Sequence, residues 1–73
     1  MKKRSVNILG HQTSITLEDE FWDALKYEAQ QNGLSVNALI AEIDEKRAAK
    51  NLSSAIRLYI LEKLQSRSTA TTL

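Results

Sequence analysis

The chain contains no cysteine and a single histidine. Disulfides and cysteine-ligated zinc are therefore excluded as staples for the fold. His11 has no second histidine and no cysteine with which to share a metal, and one imidazole cannot be argued into a nucleophile–base pair. The two glycines, Gly10 and Gly33, make no glycine-rich phosphate loop, and the carboxylates Glu42, Asp44 and Glu45 read as solvated. The chain is accordingly expected to be no enzyme and to need no cofactor. Long apolar runs are also missing: none approaches the roughly 18 residues that span a bilayer. Met1-Lys2-Lys3-Arg4 is followed by no apolar stretch of the kind a signal peptide carries. The expectation is a soluble, cytoplasmic protein with no membrane partner. Charge of one sign is scarce too, since 10 basic residues against 9 acidic ones leave a formal net charge of +1. That balance by itself argues for no particular partner.

What is present is 73 residues, enough for one domain. A chain of this length buries only roughly 60% of its unfolded surface and has a marginal core, so association with a second copy is the expected remedy. Charge is unevenly placed: residues 1–17 hold Lys2, Lys3, Arg4 and His11 and no acid, whereas acids and bases mix from Glu18 onward. Within this basic end, Gln12-Thr13-Ser14-Ile15-Thr16-Leu17 alternates in character. Thr13, Ile15 and Leu17 fall on one face of an extended chain, and Gln12, Ser14 and Thr16 on the other. A lone strand leaves its backbone N–H and C=O groups unpaired, and no strand of matching length follows downstream. The expected partner of this strand, residues 12–17, is the same strand of a second chain, giving an intermolecular antiparallel ribbon with a polar outer face. Residues 1–10 leave three readings open: a basic tail, an arm that tracks phosphates, or an extra strand at Val6 and Ile8 that folds back around Gly10 onto Thr13–Leu17.

From Glu18 the period becomes helical. Phe21, Leu25 and Ala29 form one stripe, widened by Trp22 and Ala24, and Glu18, Asp19 and Glu20 suit the positive end of a helix dipole. Trp22 is read as core. The spacing predicts a first helix over 18–32, ended by Gly33 in the left-handed conformation. Ser35 then reads as the N-cap of a second helix over 35–49, with Val36, Leu39, Ile40 and Ile43 as its buried stripe. Asn51-Leu52-Ser53 echoes Gly33-Leu34-Ser35, so a third helix is expected over 53–65, capped by Ser53, with 66–73 fraying. Its apolar residues cover more than one face, which calls for burial against two surfaces.

The order strand, Phe21-Trp22-Asp23-Ala24-Leu25, then Gly33-Leu34-Ser35-Val36-Asn37-Ala38-Leu39-Ile40 resembles the ribbon-helix-helix DNA-binding proteins of the Arc and methionine repressor type. With Lys3-Arg4-Ser5-Val6 before the strand and Asn51-Leu52-Ser53-Ser54-Ala55 after the second helix, it is similar to a subgroup of short bacterial ribbon-helix-helix proteins. The resemblance implies a mostly α fold with one short β-strand, as an intertwined homodimer carrying an intermolecular two-stranded ribbon and a third C-terminal helix. It further implies a repressor of double-stranded DNA. Gln12, Ser14 and Thr16 would read bases in the major groove. Ser35, Val36 and Asn37, at the second helix N-terminus, and the basic Lys2, Lys3 and Arg4 would bind phosphates. Two other readings stand beside this one: an antitoxin or protein-interaction module whose third helix holds a protein partner, and a structural dimer with no nucleic-acid role.

Overall fold

The computed structural model describes the backbone of residues 2–48 and 51–72, with side chains to Ser66. Two strands come first, β1 (Lys2–Ile8) and β2 (His11–Leu17), then three helices, α1 (Asp19–Gln31), α2 (Val36–Lys46) and α3 (Leu52–Thr72). The strands pair antiparallel within the one chain, in a register that sets Ile8 against His11, Ser5 against Ser14 and Lys2 against Leu17. The ribbon expected between two chains is thus made by one. The partner of β2 lies upstream of it, not downstream, and the open choice over residues 1–10 falls to the extra strand.

The connection explains why. Leu9 and Gly10 both have positive φ, 51° and 88°, as the two central residues of a type I′ hairpin turn require. Gly10 takes this conformation freely. Leu9 does so against a Cβ penalty of about 1–2 kcal/mol, and its side chain is 88% exposed. Asn7 Oδ1 accepts the Gly10 N–H at 3.0 Å and steadies the turn.

Closing this hairpin puts Val6, Ile8, Ile15 and Leu17 on one buried face. Over it lie Leu25 and Ala29 from α1, Leu39, Ile40 and Ile43 from α2, and Ala55, Ile56 and Ile60 from α3. α2 packs on β1, α3 packs on β2, and α1 packs against both other helices. Phe21 and Trp22 are partly buried at the margin of this core. Thr13, grouped by alternation with Ile15 and Leu17, is exposed, although Val6 opposite it across the hairpin is buried.

Each helix end has its own cause. At the end of α1, Leu34 N–H donates to Ala29 O at 2.9 Å and Gly33 N–H to Gln30 O at 3.1 Å, with Gly33 at φ 68°. This is the Schellman arrangement. Between α2 and α3 the left-handed residue is Ala48, φ 55°, and Asn51 caps α3, its Oδ1 accepting from Ser54 N–H at 2.8 Å. Asn51 therefore takes the capping role expected of Ser53, two residues earlier, which frees the Ser53 hydroxyl for another bond. No glycine or proline follows Asn51 to interrupt the helix, and its backbone stays helical through residues 66–72. Among the described residues, no helix is long and apolar enough to cross a membrane, and no group of three or more His, Asp or Glu could hold a metal ion.

Candidate nucleic-acid interface

Because the strands are paired with residues 3, 5 and 7 opposite 16, 14 and 12, both contribute to one outer face. Gln12, Ser14 and Thr16, expected there, are joined by Lys3, Ser5 and Asn7, and all six are exposed. The cross-strand pairs are Lys3 with Thr16, Ser5 with Ser14 and Asn7 with Gln12. One chain thus presents a polar face two strands wide. Sequence reasoning does not single out Ser5 and Asn7. The signal for them is the alternation of Val6 and Ile8, which turns the odd-numbered residues between Lys3 and Asn7 outward.

The basic N-terminal residues differ in their surroundings. Lys2 and Lys3 are exposed, whereas Arg4 is half-buried. Its guanidinium lies 4.5 Å from the centroid of the Trp22 ring and 3.2 Å from Asp19 Oδ1. Arg4 thereby ties β1 to the first turn of α1 through stacking on the ring and an ion pair.

Ser35, Val36 and Asn37 sit at the turn into α2. Ser35 Oγ accepts the Ala38 N–H at 3.0 Å, and the first intrahelical bond runs from Leu39 N–H to Ser35 O. The N–H groups of Val36 and Asn37 precede that bond and have no intrahelical partner. They stand at the positive end of the helix dipole, where an anion is favoured. Replacing Ser35 with alanine is expected to cost about 1 kcal/mol of stability, read from urea unfolding, by loss of the cap. A change near zero would show that the Ser35 hydroxyl does not hold this end of α2.

The outer edge of β2 is treated differently along its length. In this hairpin the odd-numbered residues of β2 exchange backbone bonds with β1, so Gln12, Ser14 and Thr16 direct theirs away from it. Thr16 is satisfied from α3: its N–H donates to Ser53 Oγ at 3.3 Å, and its carbonyl accepts from the Arg57 guanidinium at 3.3 Å. Arg57 is held in turn by Glu18, whose carboxylate accepts from Nε at 2.9 Å. That hydrogen bond, helped by one from the Glu18 backbone, holds the Glu18 carboxyl below the usual carboxylate range. The tether is therefore complete above the ordinary glutamate pKa and weakens as pH falls through the lower folded value. Beside the rest of the edge runs a groove of about 660 Å³, walled by Asp44, Arg47 and Asn51–Ser53.

No curated protein and no solved structure matches the chain. The model of a family described as the ribbon-helix-helix domain matches residues 1–64, which takes in the hairpin, α1, α2 and most of the apolar length of α3. With a two-stranded antiparallel ribbon followed by helices around the Gly33–Ser35 turn, the chain belongs to the ribbon-helix-helix family, a DNA-binding and regulatory fold.

Proposed function

We propose that this chain is a homodimeric DNA-binding transcriptional regulator, acting as a repressor, that reads the major groove with the outer face of its ribbon. The observation that carries this reading is that face itself: an exposed, wholly polar surface with Lys3 at its margin, on a domain of a DNA-binding family. Two copies joined along the β2 edges would place both β2 strands at the centre of a sheet and each β1 outside. Strands lie about 4.8 Å apart, so the central pair fits a groove about 12 Å wide while the outer strands approach its phosphate walls. Gln12, Ser14 and Thr16 then face base edges. Gln12 suits adenine N6 and N7, and the two hydroxyls accept several patterns. Lys2 and Lys3 meet phosphates at the rim, and the N–H groups of Val36 and Asn37, with the Ser35 cap holding them in place, bind phosphate beyond it. Arg4 supports the arrangement from beneath, through Asp19 and Trp22.

Fluorescence anisotropy with duplex DNA tests this. A chain that neutralises several phosphates should lose affinity steeply between about 50 and 200 mM salt. Lys2→Ala with Lys3→Ala should weaken binding to all sequences alike and lower the salt slope by about one for each phosphate no longer neutralised. Weak binding with a flat salt response would overturn the reading. The alternative of a protein-interaction module draws on α3, where Leu58, Leu61 and Leu64 are each about half exposed. It predicts that flat response.

A further inference from the structure

We infer that the first turn of α3 is a register stop: by occupying the backbone of Thr16 it confines the pairing of two copies to Gln12–Ser14, centred on Thr13. This rests on the reading of the chain as a dimer joined at β2. Of the outward-directed backbone groups on this edge, those of Thr16 are taken by Ser53 and Arg57. Ser14 lines the groove, and Gln12, two residues before it on the same strand, directs its backbone groups to the same edge.

The occupant that fits is a second copy of the same edge. An antiparallel two-fold through Thr13 sets Gln12 of each copy against Ser14 of the other, and outward-facing residues so opposed exchange N–H···O=C bonds in both directions. Next along, Thr16 of one copy would face Gly10 of the other, which lies in the hairpin turn and not in a strand. Ladder bonding ends there of its own accord, and α3 supplies the bonds that Thr16 would lack. A two-fold through Ser14 would set Thr16 against Gln12 and would require the bonds from Ser53 and Arg57 to break. The side chains agree with the edge chosen. β2 presents Gln12, Ser14 and Thr16, all uncharged, whereas β1 carries Lys3 on its edge, the kind of residue that discourages strand addition. In the Thr13-centred register the strained, exposed tip at Leu9 comes beside the first turn of α3 of the second copy. An apolar residue held at positive φ acquires a reason there.

The chain has no cysteine, so single cysteines report the register cleanly. In the inferred pairing Thr13 faces itself across a non-hydrogen-bonded site, where Cα atoms stand about 4.5 Å apart, within disulfide range. Ser14 is offset from its copy by about two residues along the strand, beyond that range. Thr13→Cys is expected to form a crosslinked dimer under mild oxidation, with Ser14→Cys crosslinking at least tenfold more slowly. Adding Ser53→Ala and Arg57→Gln should raise the Ser14→Cys rate, and Ser53→Ala alone should raise it partway. Circular dichroism on each variant checks that it is folded. Equal crosslinking at both positions with Ser53 and Arg57 intact, or a ratio unmoved by their replacement, would overturn the inference while sedimentation still reports a dimer. A monomer in sedimentation would instead remove the dimer reading and the register together.

Discussion

Ser14→Pro yields a folded chain that no longer associates. The Ser14 N–H points away from β1, as the outward-directed groups of its neighbour Thr16 do, so proline removes no bond of the hairpin ladder. On the open edge it deletes a donor and sets a ring in the path of an incoming strand. Far-ultraviolet circular dichroism should stay close to that of the parent, sedimentation equilibrium should report a monomer, and DNA affinity should fall. With half as many phosphates neutralised, the drop is on the order of a hundredfold at physiological salt. Ser5→Pro is the matched control, since Ser5 faces Ser14 across the hairpin and turns its own backbone to the opposite edge. It should leave association unchanged. A Ser14→Pro chain that remains a dimer would show that two copies meet elsewhere, for instance along the exposed leucines of α3.

Ile56→Ala should be the most damaging single truncation in α3. Ile56 is fully buried, and removing most of such a side chain costs about 2–5 kcal/mol through lost transfer energy and a residual cavity. Domains of this size are stable by roughly 4–11 kcal/mol, so the variant should lose at least about a fifth of its stability, and all of it at the low end of that range. Its melting temperature should fall by about 10–30 °C. Leu61→Ala, on the exposed side of the same helix, should change stability by less than about 0.5 kcal/mol. Urea unfolding of both distinguishes the faces. If Ile56→Ala proved as mild as Leu61→Ala, α3 would be an appendage and not a wall of the core.

The two helices around Gly33–Ser35 are legible in the sequence because each end carries a residue whose chemistry is local. Gly33 takes positive φ, and the Ser35 hydroxyl meets Ala38 N–H three residues on. The alternation of Ile15 and Leu17 is equally plain, since both face the core. β1 is harder to read. Lysine, arginine and asparagine have little preference for strands, the turn is Leu9-Gly10 where Asn-Gly or Asp-Gly would have announced a hairpin, and basic residues at a terminus suggest a tail. Charge groups Arg4 with Lys2 and Lys3, but a strand sorts residues by parity, and parity separates Arg4 from Lys3 and sets it over Trp22. The bonds from Ser53 and Arg57 to Thr16 join residues 37 and 41 positions apart. No periodicity within either segment encodes such a contact. Ser53 is further hidden by its resemblance to a cap, a role that Asn51 fills.

The two-residue turn at Leu9-Gly10 also decides the kinetic order of assembly. Hairpins closed by so short a loop form in roughly 1–10 μs, and contacts this local favour rapid folding. Each newly made chain can therefore complete its own sheet before it encounters another, so folding is first order and independent of protein concentration. In the proposed dimer, only the later docking of finished subunits would answer to how much of the protein a cell contains.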